Sequence, residues 1–226
     1  KLARDALAQR IEAKLTWGMG KAEVAENRRY GSGPTDDDLP VLRVTSPTGE
    51  LLAVFANYAC HCTAISGAFN KICGDWAGYA QETIEANHPG ATALIGIGCA
   101  GDQRPAERYG LDLAKKHGAT IGNLVSDVLK DSNLAELNPS VQCNATQIKL
   151  PFAKPRSQAE WEARTNQARP TAYHAKKNLA RLARGETLRT EQDYFVQAWG
   201  FGDDLLMVFL PGEVVVDYSV RLKREF

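Results

Sequence analysis

The sequence has no excess of charge of either sign. Lysine and arginine together number 27, aspartate and glutamate also number 27, and the formal net charge is zero. Taken as a whole, such a chain has no electrostatic basis for holding nucleic acid or an anionic membrane surface. It also has no apolar run approaching the roughly 18 residues of a membrane-spanning helix. We therefore predict neither a nucleic-acid partner nor a transmembrane segment.

Cysteine is scarce, and its count of five is odd. In a chain of this length that count does not indicate a disulfide framework. Cys60 and Cys62 flank His61, but the Cys-x-Cys spacing is shorter than that of a structural zinc knuckle. Small buried thiols are therefore the preferred interpretation. A metal cluster or a reactive pair is the alternative.

An initiating methionine and a recognisable signal peptide are also missing. The sequence starts at Lys1 and stops at Phe226 inside a predicted helix. We therefore expect a chain cut at both ends, from which a targeting segment could have been lost. With 226 residues, 44% of them hydrophobic, one large domain is the default expectation.

Hydrophobic periodicity divides the chain into helices and strands. Helices are predicted over 2–15, 77–87, 111–130 and 157–184 and from Pro211 onward, with Asp75 as the N-cap of the second. Strands are predicted over 39–45, 51–59, 93–97, 141–150, 194–199 and 205–210, and the polar, Gly-rich segment 18–40 between them predicts no regular element. The continuous apolar run 93–97 indicates a strand buried on both faces. Together these elements predict a layered α/β (α+β) fold, a mixed β-sheet flanked by helices.

Three predicted strands end in polar loops that carry His61, Asp102 and Glu213. Loops at strand ends are where open α/β sheets gather their ligands. Imidazole and carboxylate groups are common zinc ligands. The ordinary alternatives are a hydrogen-bonded core histidine, a turn aspartate and an acid in the first turn of a helix. From the residues alone, both interpretations stay open.

Three segments in this order resemble the neutral/alkaline (non-lysosomal) ceramidase family, and its bacterial branch most closely. They are residues 57–61 (Asn-Tyr-Ala-Cys-His), 74–80 (Gly-Asp-Trp-Ala-Gly-Tyr-Ala) and 210–213 (Leu-Pro-Gly-Glu). The resemblance runs from Asn27-Arg28 to the last helix. It implies that residues 1–226 are the central part of a single, larger catalytic domain. It also implies a zinc amidase that splits the N-acyl bond of ceramide, a lipid-like substrate, and a secreted or periplasmic location.

The resemblance also implies which residues hold the metal. One Zn²⁺ would be held by His61 and Glu213, with a further histidine from a His-Thr-His segment upstream of Lys1 and a tyrosine downstream of Phe226. Zinc held this way activates a water for attack on the amide carbonyl. The resemblance leaves the oligomeric state open.

One departure from the family separates the metal from the substrate. Residues 101–105 are Gly-Asp-Gln-Arg-Pro, where the family has Gly-Asp-x-Ser-Pro. Asp102 and Arg104 are therefore the candidates at the catalytic position. A guanidinium cannot replace a hydroxyl in proton transfer because it stays protonated, but it can bind an anionic group.

Several alternatives follow from this departure. The zinc centre persists while the substrate is polar, acidic or a carbohydrate, or the chain is a non-catalytic, ligand-binding member with a degenerate site. Arg104 pointing to solvent is the ordinary alternative. The basic run Asn27-Arg28-Arg29 either reaches the site or forms an exposed cluster.

Overall fold

The computed structural model describes all 226 residues. Its elements are α1 (Leu2–Ala8), β1 (Lys14–Lys21), β2 (Ala25–Asn27), β3 (Asp38–Thr45), β4 (Leu51–Tyr58), α2 (Asp75–Asn87), β5 (Thr92–Ile97), β6 (Gln103–Pro105), α3 (Leu111–Leu129), β7 (Ala135–Glu136), β8 (Val141–Pro151), α4 (Gln158–Glu162), α5 (Arg169–Ala183), β9 (Glu191–Phe201), β10 (Leu205–Phe209) and α6 (Val216–Glu225). This content confirms the predicted α/β class. No helix is long and apolar enough to span a membrane.

The chain divides into two compact units. The first comprises Lys1–Gln142, Trp199–Met207 and Gly212–Phe226, and the second comprises Cys143–Ala198 and Val208–Pro211. The membership of residues 1–226 in one larger catalytic domain stays a prediction.

A five-stranded mixed sheet organises the first unit, in the order β5-β4-β3-β1-β7. The β4–β5 pair is parallel, with Tyr58 opposite Ile97, and both β3 pairings are antiparallel. Alternate strand residues such as Leu39, Val41 and Val54 are buried in a core shared with α2 and α3. This alternation is what one covered sheet face requires. Because β4 and β5 are parallel, the loops that follow them leave the same edge of the sheet.

The predicted strands 39–45 and 51–59 and the helices 77–87 and 111–130 are confirmed. The helix predicted over 2–15 is wrong beyond Ala8, because β1 already begins at Lys14, and the segment 18–40, predicted to be irregular, contains the second half of β1 and all of β2. The glycines in β1 permit close packing there. A β-carbon on Gly18 would lie 2.3 Å from Leu134 Cδ2, and one on Gly20 would lie 2.8 Å from Val128 Cγ2. Glycine occurs in strands where a neighbouring group approaches closely, so a Gly-rich segment is not necessarily a loop.

Two further predictions for the first unit are corrected. β5 is not buried on both faces, because Ala93 is buried on one face whereas Leu94 on the other face is 54% exposed. The last helix begins at Val216 with Val215 as its N-cap, so residues 211–215 form a loop. β10 before that loop is only partly buried.

The strand 141–150 and the hairpin of 194–199 and 205–210 are confirmed in the three-stranded sheet β10-β9-β8. The long helix predicted over 157–184 is two helices, α4 and α5, because an irregular segment interrupts it between Ala163 and Ala168. Trp161 of α4 is buried, and its ring meets that of His174 of α5 edge to face. All five cysteines are free. Only Cys60 is buried, so the preferred interpretation as small buried thiols is wrong for the other four, of which Cys62 and Cys143 are exposed.

Candidate metal site

His61 lies in the loop that follows β4, and its own backbone holds it there. Its amide donates a 3.1 Å hydrogen bond to the carbonyl of Gln103, the first residue of β6. Its carbonyl accepts a 3.0 Å hydrogen bond from Trp76 Nε1. The buried Trp76 ring also packs edge to face against Tyr58. Core packing and strand pairing therefore set the position of the imidazole.

Asp75 anchors the same loop. Its carboxylate accepts hydrogen bonds from the amides of Ala64 (3.1 Å), Ile65 (2.9 Å) and Trp76 (2.7 Å). Asp75 has φ 54°, and the N-cap position of α2 belongs to Gly74, so the predicted N-cap role is wrong. An L residue adopts such a φ only where its side chain is held. Three hydrogen bonds to backbone amides hold it here.

Glu213 approaches from the loop after β10 and is tied to the loop after β5. The Gly101 amide donates a 2.7 Å hydrogen bond to the Val214 carbonyl. The backbones are so close that a β-carbon on Gly101 would lie 2.3 Å from the Glu213 carbonyl oxygen. This is a position where only glycine fits. The loop carrying Glu213 therefore rests directly on the Gly101 backbone.

The two predicted ligands meet at this point. His61 Nε2 lies 3.5 Å from Glu213 Oε2, and their side chains are 18% and 72% exposed. Arg28 Nη2 lies 3.3 Å from the same Glu213 oxygen. The guanidinium also donates from Nη2 (2.7 Å) and Nε (3.2 Å) to the Gly101 carbonyl. Histidine, carboxylate and guanidinium thus share one half-open site within the first unit.

The donor set fits a zinc ion in part. Two ligands about 2.0–2.2 Å from a tetrahedral zinc lie about 3.3–3.6 Å from each other, and the His61–Glu213 separation is 3.5 Å. His61 Nδ1 is buried and has no hydrogen-bond partner. The chain contains no group of three or more His, Cys, Asp or Glu residues able to hold a metal. His61 and Glu213 would therefore be two of the three or four protein ligands that a zinc ion takes.

Asp102 is a buried hydrogen-bond acceptor between Gly101 and Gln103, whose backbones bond to the loops of Glu213 and His61. Its Oδ1 accepts from Val216 N (2.9 Å) and Gln103 Nε2 (3.2 Å), and its Oδ2 accepts from Asn27 Nδ2 (3.3 Å). Burial raises the pKa of Asp102, but these donors outweigh burial and hold that pKa below its usual value. The carboxylate thereby joins β2 and β6 to the start of α6. Its geometry favours a positioning role over contact with substrate.

Arg104 forms no hydrogen bond or ion pair with His61 or Glu213. It stands opposite Glu26 in the β2–β6 pair, and its Nε donates to Glu26 Oε1 at 2.8 Å. Both side chains are partly exposed. The guanidinium is therefore partly neutralised by a neighbour on the adjacent strand.

The structure gives Arg28 a place that the sequence alone left open. Asn27 Oδ1 accepts from the amides of Arg29 (3.0 Å) and Tyr30 (3.1 Å), which makes a local turn. The Arg28 amide bonds to the Asp102 carbonyl (2.7 Å), and this directs its side chain to Gly101 and Glu213. Arg29 is exposed. The only sequence signal was a basic run after an Asn, which is too common to identify a site.

Fold and site together define a layered α/β fold with a His–Glu pair in the loops after β4 and β10, and an arginine that contacts the glutamate. Among solved structures, the neutral ceramidase from Pseudomonas aeruginosa shares this fold, with a TM-score of 0.70 and 17% identity over 98% of this chain and 44% of that one. A ceramidase complexed with C2 does so with a TM-score of 0.72 and 15% identity over 98% of this chain and 45% of that one. No protein-family model and no curated protein matches the sequence.

At these identities the likeness shows a shared fold. The fold expected from the ceramidase resemblance is therefore confirmed. The chain spans less than half the length of each of these ceramidases.

Proposed function

We propose that this chain supplies part of the active site of a zinc-dependent, ceramidase-like hydrolase that cleaves an N-acyl amide bond. The observation that carries the proposal is the 3.5 Å approach of His61 Nε2 to Glu213 Oε2. Residues 61 and 213 meet because the segment 101–103 hydrogen-bonds to both of their loops, through Gly101 to Val214 and through Gln103 to His61. The shared fold with two proteins named as ceramidases supports the same conclusion and suggests a lipid-like substrate.

His61 and Glu213 would hold the one Zn²⁺, which when bound supplies Lewis-acid polarisation of a carbonyl and an acidified water. The remaining ligands belong to the rest of a longer protein, a histidine and a tyrosine by the family resemblance. Within this chain, Arg28 orients the Glu213 carboxylate through Oε2. Its positive charge also favours negative charge developing on a substrate oxygen nearby.

A second candidate function is ligand binding without catalysis. One observation favours it. Arg104 occupies the position of the family serine and is already paired with Glu26. A third candidate keeps the metal but uses it on a polar, acidic or carbohydrate substrate, for which Arg104 provides a cation. The second candidate predicts binding without turnover, and the third predicts bound zinc with a preference for a substrate other than ceramide.

Metal content and hydrolysis test the first candidate. The protein that carries this chain together with the remaining ligands should contain one zinc per molecule by elemental analysis and should hydrolyse a fluorescent N-acylsphingosine. H61A and E213Q should each lower zinc affinity by at least about 100-fold, because each removes a direct ligand. Loss of a residue that only hydrogen-bonds to a ligand already lowers metal affinity about 10–100-fold. His88→Ala and Glu50→Gln are matched controls, since both positions lie outside the site.

A folded, metal-free protein would refute zinc dependence. If that protein bound N-acylsphingosine without turnover, ligand binding would be the function. Zinc retained in H61A would show that His61 is not a ligand.

A further inference from the structure

The zero net charge of the chain conceals a strong local imbalance. Residues 151–190 contain nine Lys and Arg residues and three acidic residues, whereas the rest of the chain has 18 basic and 24 acidic residues. This segment includes α4 and α5 and belongs to the second unit. A positive excess of this size in forty residues is an electrostatic feature that the whole-chain sum does not show.

The charge is concentrated on one side of α5. At 100° per residue, Arg169, Lys176, Lys177, Arg181 and Arg184 fall within one arc of about 140°, and we call these five residues the basic face. All five are exposed, and the opposite side of the helix buries Ala175 and Asn178. The helix contains no acidic residue. It therefore packs with one side and presents to solvent a side whose only charged residues are basic.

The cations of the basic face are largely unneutralised. Arg169, Lys176 and Lys177 form no ion pair, and Arg181 (4.0 Å) and Arg184 (2.6 Å) share the single carboxylate of Glu186. Folded surfaces usually intersperse both signs, because clustered like charges repel each other. An arc with five cations and one shared anion is thus complementary to a partner that carries many negative charges.

An aromatic side chain lies within this arc. Tyr173 is 64% exposed, and Lys177 Nζ sits 5.5 Å from the centre of its ring. A tyrosine with an apolar ring and a polar hydroxyl is the side chain favoured at the headgroup level of a bilayer. The aliphatic stems of lysine and arginine also suit that interface. The side of a straight 15-residue helix, about 22 Å long, can meet a flat surface along its whole length.

We propose that the basic face docks the protein on the surface of an anionic lipid bilayer. The contact is peripheral, because the apolar side of α5 is already packed within its own unit. The proposal does not depend on the metal site, and metal-free protein tests it equally well.

Vesicle flotation tests the proposal. The protein should float with phosphatidylcholine vesicles that contain roughly 30 mol% phosphatidylglycerol and should stay behind with pure phosphatidylcholine, and the bound fraction should fall as salt rises. The triple variant R169Q/K176Q/K177Q should bind about 100-fold more weakly, at roughly fivefold per cation near an anionic surface. Arg4→Gln, Lys71→Gln and Lys115→Gln together remove the same charge from exposed positions elsewhere. That control should bind as the wild type does.

Tyr173→Ala should also weaken vesicle binding, at unchanged net charge. Three results would overturn the proposal. The first is no flotation with anionic vesicles at low salt, and the second is equal loss of binding in the triple variant and its charge-matched control. The third is binding to a short DNA duplex that persists at salt concentrations that abolish vesicle binding, since the partner would then be another polyanion. Circular dichroism of α5 variants confirms that each remains folded.

Discussion

Replacing Gly101 by alanine tests the contact on which the candidate site is built. The new β-carbon would lie 2.3 Å from the Glu213 carbonyl oxygen and 2.9 Å from the carbonyl carbon of Val214, whereas ordinary contact begins at 3.4 Å. Both neighbours are backbone atoms, so no side chain can swing aside. The loop that carries Glu213 must therefore retreat by about 1 Å, which also stretches the 2.7 Å hydrogen bond from the Gly101 amide to Val214.

The magnitude has two parts. Forcing an extra methyl into a filled space costs about 1–3 kcal/mol of unfolding free energy. A zinc site tolerates only about 0.2 Å in its ligand distances, so moving Glu213 by 1 Å should weaken zinc binding about 10–100-fold. Urea unfolding measures the first effect, and titration calorimetry with zinc on the metal-binding protein measures the second.

Gly78→Ala is the matched control. A β-carbon at Gly78, inside α2, would meet nothing within 4 Å, and alanine is the better helix former by about 1 kcal/mol. This control should therefore be as stable as the wild type or more so, with unchanged zinc affinity. If Gly101→Ala matched Gly78→Ala in both measurements, the close backbone approach and the support it gives to Glu213 would be wrong.

Three further substitutions test other parts of the structure. Asp102→Asn should destabilise the protein by about 1–3 kcal/mol at pH 7 in urea unfolding, because it places an amide donor against a buried donor that the carboxylate now accepts from. Since the folded-state pKa of Asp102 is lowered, the wild type should lose this advantage as pH falls below about 4 and through that pKa. A stability difference that stays constant down to pH 2 would contradict the lowered pKa. Tyr58→Phe should cost about 3 kcal/mol, because the buried hydroxyl donates to the Ala22 carbonyl and accepts from two amides, whereas Tyr30→Phe at the surface should cost nothing measurable. Arg104→Ser should change the free energy of unfolding by less than about 1 kcal/mol, since the ion pair of Arg104 is partly exposed. It should also shift the substrate preference of the enzyme towards N-acylsphingosine over acidic amides. If the wild type hydrolysed N-acylsphingosine rapidly and the variant did so equally well, the hypothesis of an altered substrate would be wrong.

Much of the fold was predictable because burial leaves a local pattern. Alternation over 39–45 and 51–59 and helical spacing over 111–130 each arise from one covered face, so they can be recognised without knowing what covers it. Prediction failed where a neighbour decided the outcome. Residues 14–15 were predicted as the end of a helix and 18–21 as part of a Gly-rich segment, yet 14–21 form a strand that pairs with β3, where α3 and the segment after it pack against Gly18 and Gly20.

The sequence by itself marked His61 and Glu213 as candidate ligands, through motifs of a few neighbouring residues each. Only the tertiary structure decided that His61 Nε2 and Glu213 Oε2 lie 3.5 Å apart and that Arg28 contacts the same Glu213 oxygen. It also decided that the buried Asp102 accepts a hydrogen bond from Val216 while Arg104 pairs with Glu26. The same structure showed that a chain with no net charge has one strongly basic helix face. The physical reason is that a motif reports the chemistry of single residues. Distances between loops depend on strand order and on backbone contacts, such as that of Gly101 with Glu213, which no local pattern records.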